Sequence, residues 1–169
     1  MVRAGLLAVG LASASGCSLV LDFGPGAVPV DAAADAPYSQ AECDYKEPND
    51  TPAEAAALAP TDVGPAAICA GALEDHDFYR FTVPAGTASV GVTVSFTNRP
   101  GGDLDLRITD ATGATTYGQS RGFGDGESVT CGSGSPCPAL AAGDYVFEVF
   151  PAAPGAVNRY DLALSLTPM

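Results

Sequence analysis

The stretch Glu74-Asp75-His76-Asp77-Phe78-Tyr79-Arg80-Phe81-Thr82-Val83 sets three carboxylates around the chain's one histidine, then alternates Tyr79, Phe81 and Val83 with Arg80 and Thr82. A period of two marks a strand with one buried face, so an acidic turn here meets a core strand. The same alternation recurs downstream. Val90, Val92, Val94 and Phe96 interleave with Gly91, Thr93 and Ser95, and Leu104, Leu106 and Ile108 with Asp103, Asp105, Arg107 and Thr109. Tyr145, Phe147 and Val149, then Tyr160, Leu162, Leu164 and Leu166, complete the set. Shorter strands are predicted over Ala67 to Leu73, Thr115 to Tyr117 and Ser128 to Cys131, with a mobile glycine-rich loop from Gly118 to Gly126. Thr51-Pro52-Ala53-Glu54 reads as the capped start of one short N-terminal helix running to Leu58. Seven or eight short strands in an all-β chain with twenty Gly and fourteen Pro imply a β-sandwich.

The length of 169 residues suits one domain with appendages. A net charge of -13 with seven scattered Lys and Arg argues against nucleic acid, whose phosphates need clustered cations. The N-terminus reads as an address. Met1-Val2-Arg3 is a short basic region, Ala4 to Ala12 is apolar, and Ala14-Ser15-Gly16-Cys17 resembles the bacterial lipobox, which implies lipid on Cys17 and, with Ser18 after it, an outer-membrane destination. No later stretch approaches the about 20 apolar residues a membrane helix needs. Residues 1–16 are therefore expected to be a signal peptide, 17–42 a lipidated cysteine on a disordered Ala/Pro/Asp-rich tether, and 43–169 the folded domain.

Cys43, Cys69, Cys131 and Cys137 remain after Cys17 is set aside. Four cysteines in an exported chain suggest two disulfides with three possible pairings. The small loop from Cys131 to Cys137 favours local closure, which leaves Cys43 for Cys69. A four-cysteine zinc site is the rival reading, and it lacks a Cys-x-x-Cys pair.

Several motifs fall in one order: Glu47-Pro48-Asn49-Asp50-Thr51, Asp75-His76-Asp77-Phe78-Tyr79-Arg80-Phe81, Pro84-Ala85-Gly86, Asp103-Leu104-Asp105-Leu106, Ala142-Gly143-Asp144-Tyr145 and Tyr160-Asp161-Leu162. Together, over residues 44–167, they resemble the bacterial pre-peptidase C-terminal domain. That resemblance implies a jelly-roll-like sandwich found on secreted proteases and other exported proteins. It also implies calcium held by Glu47, Asn49, Asp50, Asp75 and Asp77, oxygen ligands suited to a hard cation. Lys46 and His76 depart from an all-acidic pattern. The same residues also read as structure, with Asp50 or Thr51 capping the short helix and Asp75 and Asp77 shaping a turn.

Catalytic signals are sparse. Gly118-Gln119-Ser120-Arg121-Gly122 matches the nucleophile elbow in letters, but no helix follows it. His76, the one possible base, reads as an exposed turn residue. Asp103 and Asp105 read as a solvated strand face. Without tryptophan a sugar-stacking platform is disfavoured, and Tyr38, Tyr117 and Phe123 are the aromatics a core explains least. The expectation is a noncatalytic envelope lipoprotein whose sandwich binds a protein or polymer, or assists an exported enzyme. The alternatives are a chaperone-like partner of a secreted protease and a small hydrolase using Ser120 and His76.

Overall fold

In the computed structural model, residues 38–169 are described except for Val63, Ala72 and Leu73. The signal peptide, Cys17 and the first twenty residues of the tether lie outside the described residues. Among those described, no helix is long and apolar enough to cross a membrane.

The elements are α1 (Gln40–Cys43), β1 (Ala56–Ala57), β2 (Pro65–Ile68), β3 (Asp77–Val83), β4 (Thr87–Ser95), β5 (Leu104–Asp110), β6 (Thr116–Ser120), β7 (Gly126–Gly132), β8 (Gly143–Pro151) and β9 (Asn158–Pro168). They form two sheets, ordered β1-β3-β8-β5-β6 and β2-β9-β4-β7. All neighbours pair antiparallel except β1 with β3. The β-sandwich expected from the alternation is the observed architecture.

The alternating residues face each other between the sheets. Tyr79, Phe81, Val83, Leu104, Leu106, Ile108, Phe147 and Val149 come from the first sheet, and Val90, Val92, Val94, Tyr160, Leu162 and Leu164 from the second, all buried in one cluster. Register brings Tyr79 opposite Phe147 and Phe81 opposite Tyr145, and the Tyr79 and Phe147 rings stack at 5.1 Å. A one-residue slip would turn each strand's apolar side chains to solvent, so this pattern specifies the pairing strongly.

The N-terminal segment does not fold as predicted. Glu54 N–H still donates to Thr51 O, and the Thr51 hydroxyl to Glu54 Oε2, but the turn closes once and the chain then extends as β1. Leu58 N–H donates to Arg80 O and its side chain enters the core. A helix this short is marginal on its own, and pairing on the open edge of β3 replaces it while burying Leu58. The short helix lies earlier, where Ser39 caps Glu42 N–H and Glu42 reaches back to Ser39 N–H. Tyr38 to Glu42, read as tether, thus belong to the ordered domain. With β1 the strand count among the described residues becomes nine.

This N-terminal segment partly covers the outer face of the first sheet. Arg80 Nη2 donates to Pro52 O at 2.9 Å. Pro52 also lies where a side chain on Gly113 would be, 2.6 Å from an added Cβ, and Gly113 has φ +77°. Glycine is required there both for the left-handed turn and for the close approach. In that turn Asp110 accepts from the backbones of Thr112, Ala114 and Thr115 and from the Thr112 hydroxyl, which holds its carboxyl well below the usual range.

Three further expectations are corrected on this outer face. The loop expected from Gly118 to Gly126 is shorter, because β6 continues to Ser120. Residues 121–125 are pinned by Asn98 to Phe123 O and Asp125 Oδ1, and by Gly122 N–H to Glu127. Asp105 is 4% exposed rather than solvated; Arg121 approaches its carboxylate at 3.7 Å and lies over the Phe150 ring. Burial raises the Asp105 carboxyl while Arg121 opposes the rise. His76 is half-buried, with Nδ1 donating to Glu148 at 2.6 Å and its ring between Phe78 and Phe150.

Candidate cation site

The site forms where the start of β3 meets the segment leading to β1. Phe78 N–H donates to Asn49 O at 2.9 Å, which docks the Glu47–Asp50 stretch against the strand. Glu47, Asp75 and Asp77 each offer a carboxylate oxygen within 4.8 Å of the others. Asp77 is 1% exposed and is positioned from the core: Tyr160 of the opposite sheet donates to its Oδ2, and the Tyr79 and Tyr160 hydroxyls are 2.7 Å apart. Asp75 Oδ2 accepts from Cys69 N–H at 2.6 Å.

Asn49 completes the arrangement. It is fully buried, and the amide orientation that satisfies its neighbours points Nδ2 inward, donating to Glu47 Oε1 and Oε2 at 2.9 and 3.0 Å and to Asp77 Oδ1 at 3.2 Å. Around a cation the amide would turn over and offer its oxygen beside the three carboxylates. With nitrogen inward, it bridges two of them without an ion. The donor set therefore fits a hard cation, which prefers carboxylate and amide oxygens.

The electrostatics agree. Burial pushes the Asp77 carboxyl well up, and repulsion from Asp75 and Glu47 adds to it against the Tyr160 hydrogen bond. Glu47 is raised first by burial and then by Asp50 and Asp75, against the Asn49 N–H. Asp75 is raised by burial and by Asp50, against the Cys69 N–H. Carboxylates that resist joint ionisation are relieved by a divalent cation.

Of the five residues nominated by motif, the structure groups Glu47, Asp75 and Asp77 and faces Asn49 towards them. Asp50 lies at the rim, lining an open cavity of about 510 Å³ with Thr51, Cys69, Glu74 and Asp75. Lys46 points away, its Nζ donating to Ala57 O and Asp62. His76 also turns outward to Glu148, so the histidine between the two aspartates does not enter the cluster.

The hydrolase pair is not assembled. The Ser120 hydroxyl donates to buried Glu127, His76 is engaged by Glu148, and no hydrogen bond joins the two among the described residues. Glu148, 1% exposed and bound by both His76 and Arg107, was missed because its neighbours alternate as a core strand. Asn158 was missed likewise; it is fully buried, donates to Thr97 O and Gly102 O, and accepts from Arg99. The disulfides pair Cys43 with Cys69 and Cys131 with Cys137.

The fold and the acidic cluster define a β-sandwich module with a candidate cation site. Residues 75–151 match the family model of the bacterial pre-peptidase C-terminal domain. Asp75 and Asp77 open the matched stretch, whereas Glu47, Asn49 and Asp50 precede it. No curated protein matches the chain. Among solved structures, the pre-peptidase C-terminal domain of a collagenase from Bacillus anthracis matches at 14% identity and a TM-score of 0.49, covering 64% of this chain and 92% of that one.

Proposed function

We propose that this protein is a noncatalytic module of the bacterial cell envelope whose sandwich carries a calcium site and engages a protein or polymer partner, or assists an exported enzyme. The observation that carries the calcium reading is the convergence of the Glu47, Asp75 and Asp77 carboxylates, with the fully buried Asn49 amide beside them. Calcium would be held by these four, with Asp50 beside Asp75 at the rim. It would supply the positive charge that the cluster lacks and fasten the N-terminal segment to β3.

Thermal unfolding of the chain in calcium and in chelator tests this. A ligand that binds only the folded state at a hundredfold excess over its Kd adds about 2.7 kcal/mol, a rise of about 10 °C for a domain of this size. Asp77→Ala is expected to abolish the rise. Equal midpoints with millimolar calcium and with chelator would reduce the cluster to caps and turns.

The envelope address rests on the sequence around Cys17, and the partner on the domain's family. Cys17→Ala is expected to move the protein from the membrane fraction to the soluble fraction. Identical fractionation of the two forms would remove the anchor from the proposal.

A further inference from the structure

The disulfide that closes the candidate cation site joins the two segments from which its ligands come. Cys43 lies four residues before Glu47, and Cys69 six before Asp75. The bridge holds their Cα atoms 5.9 Å apart, and the Cys69 backbone N–H is itself a partner of Asp75 Oδ2. We propose that Cys43–Cys69 is a redox-controlled fastener of this site: its reduction weakens cation binding, and a bound cation slows its reduction. The inference rests on the calcium reading above and adds its regulation.

Two observations carry it. The first is access. Cys43 and Cys69 are half-buried, and Cys69 lines two open cavities of about 510 and 340 Å³ together with Glu74 and Asp75. Cys131 and Cys137 are more deeply buried, at 0% and 3% exposure, although Cys137 borders a cavity of about 280 Å³. A reductant therefore meets the Cys43–Cys69 bridge more readily than the other.

The second is what remains when that bridge opens. Downstream of Pro48 the segment stays fixed by Asn49 O on Phe78, Pro52 O on Arg80 and the β1 pairing. Upstream, Tyr45 packs at the edge of the core and Lys46 ties to Ala57 O and Asp62, while the remaining ties are exposed or short: Glu42 to Arg159, Tyr38 to Ala70, and a four-residue helix. A helix of that length does not hold itself. Glu47 sits at the boundary between the two halves, so it is the ligand whose placement the bridge secures, together with the Asp75 held by Cys69.

The chemistry is a thiol–disulfide exchange with an external dithiol. One thiolate of the dithiol attacks a sulfur of the bridge and releases the other cysteine, which takes up a proton. The second thiolate then displaces the attacked cysteine, which is protonated in turn. Two electrons pass to the protein, and the dithiol leaves as its own disulfide. Coupling between binding and reduction is reciprocal in equilibrium terms.

Calcium titration by calorimetry of the full chain, oxidised and after mild dithiol treatment, reads the effect directly. Mass spectrometry would verify that Cys131–Cys137 is intact. An affinity about tenfold weaker or more after reduction is expected, within the usual range of coupling between sites. The rate of Cys43–Cys69 reduction should also be lower in calcium than in chelator. Equal affinities and equal rates would overturn the fastener while leaving the cation site in place. No calcium uptake by the oxidised chain would overturn the cation site and the fastener with it. The Cys43→Ser/Cys69→Ser variant should bind calcium like the reduced chain. If that variant fails to fold, the reduction rates of the unaltered chain still decide.

Discussion

Phe147→Ala is expected to lower the unfolding free energy by about 3–5 kcal/mol, the range for deleting a buried aromatic ring. Phe147 is fully buried at the centre of β8, with its ring against Tyr79 at 5.1 Å and Phe81 at 6.0 Å. Strands β3 and β5 flank it, so two neighbours would have to shift to refill the gap, and sheet pairing restrains both. A domain of this size holds about 5–15 kcal/mol in total, and the loss would take a large share of it. Chemical denaturation with Phe147→Leu as the milder comparison measures this. A loss under about 1 kcal/mol would mean that the centre of the sandwich collapses freely, outside the usual range for such sites. The same strand carries Val149 opposite Asp77, so weakening β8 should also loosen the cation cluster.

Cys43→Ala/Cys69→Ala, measured in chelator so that calcium does not contribute, is expected to lower stability by about 3.5 kcal/mol from loop-closure entropy. That figure follows from a sequence separation of 26 residues. The corresponding figure for Cys131 and Cys137, separated by six residues, is about 2.2 kcal/mol. Packing narrows the gap between them, because Cys131 and Cys137 also fill core volume. A loss near zero for the first pair would show that the N-terminal segment is held by its other ties without the bridge. It would also remove the physical basis for a redox-controlled site.

Much of the framework was legible because apolar residues alternate over long runs. β3 spans Asp77–Val83 as read, and the core strands β4, β5, β8 and β9 lie where their alternation placed them. The N-terminal segment was misread for a definite reason. Thr51-Pro52-Ala53-Glu54 and Ser39-Gln40-Ala41-Glu42 carry similar capping chemistry, and local preference does not choose between them. The edge of β3 decides, since it offers hydrogen bonds to Ala56–Leu58 but not to the earlier segment. Asp105 was misread because alternation reports which face a residue takes and not whether that face is covered. Arg121, folding back over Phe150, covers it.

The sequence by itself determined the class of fold, the strands of the core and the residue types suited to a hard cation, because periodicity and ligand chemistry are local properties. It also carried the choice of cysteine partners as far as loop length could take it. Only the tertiary structure decided that Glu47, Asn49, Asp75 and Asp77 meet, that Asp50 stands at their rim, and that His76 and Lys46 turn away. Those outcomes depend on where a segment thirty residues upstream is docked, and that docking is set by hydrogen bonds to β3, a tyrosine from the opposite sheet and a disulfide. No local pattern encodes such distances.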